Sequence, residues 1–319
     1  MSRSGPLRLR FGPYRCIAVM GVGANHTLYH ALHEESGDLV ALRVLPLVRD
    51  QYIELLGDCL DWLARVDEIV TQTITEIDAQ WPVDVQPAAV VPMLDYGHHE
   101  NNLYLVMPVM KGRSLAARLD QYQAADVSLP SPRDVGAMVQ RLAAVLDVLH
   151  DQGLVHGDID PRNIFFDKQG RAYLGDIGLM RLLKLIFRLG TTGSLDMSAY
   201  AAPEIWQGER PQPASDQYAL ACIAYHLLTG QPPFQGQSIY ALMKQHTDEA
   251  AMPPHLIDRD LPESLAVPFW QALAKPMQRR YPSVTAFATE LRNFLPAESV
   301  DAQHVSPFFT FSLTTDSLT

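Results

Sequence analysis

The sequence predicts an α+β chain whose strands and helices lie in two successive halves. Three observations predict it. Short apolar runs separated by turn residues, with one long helix-patterned stretch among them, fill the chain to about residue 109. Beyond residue 110 the apolar spacing becomes helical. The length, 319 residues, exceeds the roughly 250–300 residues at which a single core stops growing. Two lobes are therefore expected, with a ligand between them as the default site. The expected division is a leader over 1–13, a strand-rich lobe over 14–109, a helical lobe over 110–296 and a tail over 297–319.

Each element has its own signal. Tyr14–Met20, Leu28–His33 and Leu39–Leu45 read as strands, with Ser36-Gly37-Asp38 as the turn between the last two. Residues 49–80 lack proline and carry Leu55, Leu56, Cys59, Leu63, Val66, Ile69 and Val70 at helical spacing. Ala89–Leu94 and Leu103–Met107 read as strands, with a polar turn over His98–Asn102. Ser131-Pro132-Arg133-Asp134 is a helix start: an N-cap serine, proline at the first position and an acid in the first turn. The face that follows is Val135, Met138, Val139, Leu142, Val145, Leu146 and Leu149. A second helix runs from Asp216 to Thr229 and closes at Gly230, and residues 265–295 hold two more.

Composition narrows the function classes. Hydrophobic residues are 47% and charged residues 19% of the chain, as in a globular protein. A net charge of −11 argues against a general nucleic-acid partner, which needs a cationic surface. No apolar run reaches the roughly 18–20 residues of a membrane span. Behind Met1-Ser-Arg-Ser-Gly-Pro there is no apolar stretch of the signal-peptide kind. Cys16, Cys59 and Cys222 are odd in number and far apart, which reads as free thiols in a reducing compartment. The expected location is the cytoplasm, either alone or as the cytosolic part of a longer protein.

The chemistry-bearing residues fall in order. Gly21-Val22-Gly23 lies between two expected strands, and Val40-Ala41-Leu42-Arg43 lies on the third. His156-Gly-Asp-Ile-Asp-Pro-Arg-Asn163, Gly175-Asp-Ile-Gly178 and Ala202-Pro-Glu204 follow. Gln278-Arg-Arg-Tyr-Pro-Ser283 comes near the end. Singly, an Asp or Asn here would be read as an Asx turn. Together, over roughly residues 14–295, these pieces resemble the eukaryotic-like protein kinase family, nearest in texture to bacterial Ser/Thr kinases.

The resemblance implies a bilobal protein-kinase-like fold, a β-rich N-lobe and an α-helical C-lobe, binding Mg-ATP between the lobes. It implies a protein substrate or protein partner. Asp158 stands where the family keeps the carboxylate that accepts the substrate hydroxyl's proton. Asn163 and Asp176 stand where it keeps the Mg²⁺ ligands, which are hard oxygen donors. Gly21 and Gly23 match the phosphate-covering loop. Leu28 and Ala41 match the residues above adenine, and Phe165 the one beneath it, where it either stacks or crowds. Met107 matches the gatekeeper. Pro108 and Met110 match the hinge, where the contacts are the Pro108 carbonyl and the Met110 N–H. Glu204 is expected to pair with Arg280, and Asp216 to brace the catalytic loop.

Departures from the family pattern bear on activity. Arg43 replaces the phosphate-holding lysine with a planar fork on a longer arm. Its expected partner is Glu76 on the helix, with Glu68 as rival. His26 takes the third glycine position and Met197 that of a threonine. Gly157 replaces the arginine that grips a phosphorylated activation loop. Asp160 replaces a lysine. A carboxylate ~4 Å from the γ-phosphate is repelled by a few kcal/mol at an effective dielectric near 20. Arg162, four residues after Asp158, stands where some tyrosine kinases keep the equivalent cation, with Asp160 turned aside. Retained Asp158, Asn163 and Asp176 favour a Ser/Thr-type kinase with low or atypical activity. Arg43, His26, Asp160 and Met197 favour a pseudokinase scaffold, and the sequence leaves both open.

Residues 179–189 read Leu-Met-Arg-Leu-Leu-Lys-Leu-Ile-Phe-Arg-Leu. At 100° per residue Arg181, Lys184 and Arg188 fall within about 60° of one helical face. Every other position is apolar. An amphipathic helix is expected, either simply buried in the core of the C-lobe or packed under the N-lobe helix or across a homodimer and holding the site inactive.

Overall fold

The computed structural model describes residues 9–23, 26–47, 52–80, 89–124, 128–187 and 199–296. They divide into two compact units. The first unit takes the described parts of Met1–Gln72, Val91–Val109 and Asp176–Asp196. The second takes those of Thr73–Val90, Met110–Gly175 and Met197–Thr319.

The first unit is built on a six-stranded antiparallel sheet in the order β1-β2-β3-β4-β7-β6. Its strands are β1 (Arg10–Phe11), β2 (Tyr14–Val22), β3 (Thr27–His33), β4 (Leu39–Pro46), β6 (Asp95–His99) and β7 (Asn102–Pro108). Alternation explains the sheet's faces. Val40, Leu42 and Val44 of β4 cluster with Phe11, Tyr14, Cys16, Ala31, Tyr104 and Val106. With a period of two, Ala41 and Arg43 belong to the opposite face. The helix α1 (Tyr52–Gln80) carries buried Cys59, Trp62, Leu63, Val66, Ile69 and Val70 at i, i+3, i+4 spacing. Its part up to Gln72 belongs to this unit. A second helix here, α4 (Leu179–Phe187), buries Leu179, Leu182, Leu183 and Ile186.

Two sequence expectations shift. Arg10–Phe11, inside the stretch read as a leader, pairs with Tyr14 and Arg15 as an edge strand. The expected turn over His98–Asn102 is shorter. His98 and His99 pair with Leu103 and Asn102 in a ladder closed by Glu100 and Asn101, with Glu100 at φ 51°. A short ladder next to a tight turn accepts polar residues, so polarity alone overextended the turn.

The second unit holds a small sheet in the order β5-β9-β8, from β5 (Ala89–Val90), β8 (Ile164–Phe166) and β9 (Ala172–Leu174). The strand expected over Ala89–Leu94 thus shortens to two residues, paired parallel to β9. The helices are α2 (Leu115–Gln123), α3 (Pro132–Asp151), α5 (Pro203–Trp206), α6 (Pro213–Thr229), α7 (Ile239–Asp248), α8 (Pro254–Ile257), α9 (Ala266–Ala272) and α10 (Val284–Phe294). Ser131 Oγ accepts from Asp134 N at 3.2 Å as the N-cap of α3. Every residue of the apolar face expected on α3 is buried. Fourteen consecutive residues of α6, Ser215 to Leu228, are buried, so α6 is the unit's central helix.

The three cysteines are free and buried. Among the described residues no helix is long and apolar enough to cross a membrane.

Candidate active site

In the first unit the β2–β3 hairpin brings Gly21 opposite Leu28, and β3–β4 brings Leu28 opposite Arg43. Ala41 lies opposite Met107 and is buried. Pro108 ends β7 opposite Val40. His26 folds back along the hairpin, its carbonyl accepting from Gly23 N at 2.9 Å. A Cβ on Gly23 would stand 2.5 Å from the His26 ring. The His26 ring is held below its ordinary pKa by burial and then by the Arg43 charge, against a smaller opposing pull from Asp176. It therefore sits within the field of both groups.

Arg43 Nη1 lies 2.8 Å from Asp176 Oδ2, and both side chains are over nine-tenths buried. The cation expected to meet a helix glutamate thus meets the carboxylate expected to hold metal. Glu68 is exposed. Glu76 lies on α1, and its side chain falls outside the described residues. Asp176 takes φ 61°, a left-handed conformation that Asp tolerates better than most residues. Trp62 of α1, not singled out by the sequence, donates from Nε1 to Gly178 O at 2.9 Å. It is the tryptophan on the apolar face formed by Cys59, Leu63 and Val66, and that position was the available signal.

In the second unit the segment 156–163 is braced from below. Asp216 accepts from His156 N at 2.9 Å and Gly157 N at 2.8 Å, and His150 Nε2 donates to the same carboxylate at 2.8 Å. His156 Nε2 donates to Gly175 O at 2.8 Å, leaving Nδ1 to accept from Asp158 N at 3.2 Å. Asn163 Nδ2 donates to Asp158 O at 2.9 Å and to Asp158 Oδ2 at 3.0 Å. Half-buried Asp158 is thereby oriented by the residue five positions on.

Asp160 binds Arg162. Its Oδ1 accepts from Arg162 N at 2.9 Å and Nε at 2.8 Å, and its Oδ2 from Nη2 at 3.3 Å. The carboxylate is buried and the guanidinium half-exposed, at 4% and 49%. The two charges offset one another, so Arg162 is an anchored cation. Asp160 also caps the 3₁₀ turn Pro161–Asn163, and that local hydrogen bond fixes its direction.

Phe165 lies against Gly175, where a Cβ would stand 2.6 Å from the ring. The bulk added at 165 is absorbed by the absence of a side chain at 175. A Cβ on Gly157 would meet Pro211 at 2.8 Å, so proline fills the space beside the missing arginine. Met110 is half-buried in the strand-to-helix connection. Arg280 binds Glu204 in parallel, Nη1 to Oε1 and Nη2 to Oε2, both at 2.8 Å. Burial pushes Glu204 up, but Arg280 and the Ser215 hydroxyl outweigh it and hold the carboxyl below its ordinary value. Met197 lies outside the described residues.

The protein kinase domain family matches residues 14–299 of the chain. Serine/threonine-protein kinase PknE of Mycobacterium tuberculosis is 30% identical over 275 residues, covering 85% of this chain and 44% of that protein. PknD of the same organism is 29% identical over 275 residues, covering 86% and 38%. Probable serine/threonine-protein kinase PknB of Bifidobacterium longum is 28% identical over 298 residues, covering 92% and 41%. The chain thus spans 38–44% of the length of these curated relatives. Among solved structures, the Mycobacterium tuberculosis PknI kinase domain aligns with a TM-score of 0.62 at 22% identity, covering 92% of this chain and 99% of that one.

Proposed function

Because the chain belongs to the protein kinase family, its domain matching over residues 14–299, we propose that it binds Mg-ATP and transfers the γ-phosphoryl group to a Ser or Thr hydroxyl of a protein. The observation that carries this reading is Asp158, oriented by Asn163 at 3.0 Å on a loop held by Asp216. A carboxylate so held is ready to accept the hydroxyl proton. The Ser/Thr kinase names of the relatives support the hydroxyl class.

The donor set fits a hard divalent cation. Asn163 has its Nδ2 engaged on Asp158, which leaves Oδ1 to ligate, and Asp176 offers a carboxylate. Bound Mg²⁺ supplies charge neutralisation on the phosphates. Arg43 and Arg162 add cationic charge toward the phosphates, the backbone at Gly21 and Gly23 covers them, and Leu28, Ala41, Phe165, Pro108 and Met110 take the adenine. We place this activity in the cytoplasm. The apolar side chains of α4 are already buried within the first unit, which favours docking inside the chain over a homodimer through residues 179–189.

A second reading, a pseudokinase scaffold, is favoured by one observation: the Asp176 carboxylate is held by Arg43. A thermal-shift titration, paired with a phosphoryl-transfer assay on the same sample, separates the two. The expected result is a Tm that rises with Mg-ATP, a rise lost in Asp176→Asn, and transfer lost in Asp158→Asn. Stabilisation without transfer places the scaffold first. No stabilisation at any Mg-ATP concentration overturns the nucleotide reading.

A further inference from the structure

We propose that the exposed apolar face of α8 and α9 is a docking surface for the chain's own C-terminal segment, residues 305–313. The surface uses none of the residues of the candidate active site, so it stands apart from the nucleotide reading.

The face follows from which side of each helix is buried. On α9, Ala266, Phe269 and Ala272 are buried, whereas Val267 and Trp270, one turn apart, are exposed, Trp270 at 55%. On the neighbouring stretch Met252 is exposed and Leu256 of α8 is 62% exposed. Tyr225 of α6 joins the two places. Its hydroxyl donates to Met252 O at 2.9 Å, and its ring meets Phe269 edge-on with centroids 5.4 Å apart. Both α8 and α9 also pack on α6 and on the 3₁₀ turn Glu263–Leu265. Met252, Leu256, Val267 and Trp270 thus share one side of the second unit. A half-exposed tryptophan among other exposed apolar side chains marks a surface that something covers.

The chain itself supplies the cover. Residues 305–313 read Val-Ser-Pro-Phe-Phe-Thr-Phe-Ser-Leu, with no charge among them. Phe309, Phe311 and Leu313 alternate with Thr310 and Ser312, so an extended backbone sends three apolar side chains to one side. The family match ends at residue 299, which leaves this stretch outside the shared domain. Water disfavours both apolar surfaces while they are apart. The reach suffices. α10 packs on α9 and has 11 residues, a rise of about 16 Å. Residues 297–304, between the end of the described chain and Val305, span up to about 26 Å when extended. The segment can therefore return along α10 to α9. So short a tether holds it at a millimolar effective concentration, and that favours the chain's own segment over a free partner.

The test compares the full chain with two variants that leave the core untouched, Trp270→Ser on the face and Phe309→Ser with Phe311→Ser in the segment. Two readouts are taken: the rate of chymotryptic cleavage after Phe308, and the fluorine resonance of Trp270 in fluorotryptophan-labelled protein, assigned by its loss in Trp270→Ser. Expected are cleavage about tenfold faster in Trp270→Ser than in the wild type, and a Trp270 resonance moved by the segment variant, both independent of protein concentration. Equal cleavage rates in the wild type and Trp270→Ser overturn the proposal, as does an unmoved Trp270 resonance. Protection that grows with protein concentration gives the face to a second copy of the chain and overturns it too.

Discussion

Arg43 and Asp176 form a buried ion pair at 2.8 Å within the first unit, joining the cation of β4 to the carboxylate that precedes α4. Taking either partner away leaves the other buried and uncompensated. Arg43→Met and Asp176→Asn should each cost about 3–5 kcal/mol. The double variant should cost less than their sum, by on the order of 1–3 kcal/mol. Urea unfolding of the four proteins measures the cycle, and strictly additive costs would show that the pair is not formed in solution.

The Asp160–Arg162 arrangement changes what charge removal does. The sequence by itself predicts that deleting Asp160 relieves repulsion. In the structure Asp160 holds Arg162 through three hydrogen bonds and caps the turn. Asp160→Ala should therefore lower stability by about 1 kcal/mol, as the loss of a cap does, and should lower transfer by removing the hydrogen bonds through which Asp160 directs Arg162. Asp160→Asn keeps an acceptor and removes the offsetting charge, so it should lower the KM for Mg-ATP. Steady-state kinetics beside melting curves distinguish the two. Equal behaviour of Ala and Asn would remove the capping role.

Phe165 and Gly175 should behave as a coupled pair. Gly175→Ala puts a methyl group 2.6 Å from the Phe165 ring, and overpacking of this kind costs about 1–3 kcal/mol. Adding Phe165→Leu should recover most of that loss. Melting temperatures of the two single variants and the double variant decide it, and failure of the second change to rescue the first would mean the ring moves freely.

Two buried histidines set an acid limit on the second unit. His226 beside Tyr200 is pushed down to about 4 and His246, packed on Trp206 and Phe234, to about 3, chiefly by burial. Below about pH 6.5 the unfolded chain binds protons at these rings that the folded chain refuses. The neutral rings cost nothing above pH 6.5, and stability is lost as pH falls from there towards about 4. The slope is about 1.4 kcal/mol per pH unit for each histidine. Denaturant unfolding at pH 7, 6 and 5 reads it. His226→Gln should flatten the slope by about one proton, and an unchanged slope would place the ring in water.

The sequence alone determined elements whose signal is local. The α3 face, its Ser131 cap and the closure of α6 at Gly230 are legible because they depend on spacing and on a residue's own backbone preference. The Glu204–Arg280 pair and the Asp216 brace were legible through the resemblance. The amphipathic pattern of 179–189 also sufficed to foresee α4, which the structure describes over Leu179–Phe187. Tertiary structure alone decided which charges meet. Arg43 has a long, flexible arm that any acid on facing elements satisfies, and only the tertiary packing brings Asp176 to it. Trp62 reads as one more apolar residue until Gly178 O lies within 2.9 Å of its N–H. Asp160 reads as a repulsive charge until its own turn directs it onto Arg162. Local preference fixes an element, but the partner of a buried polar group is fixed by whatever the fold places beside it, because burial makes some partner obligatory without naming which.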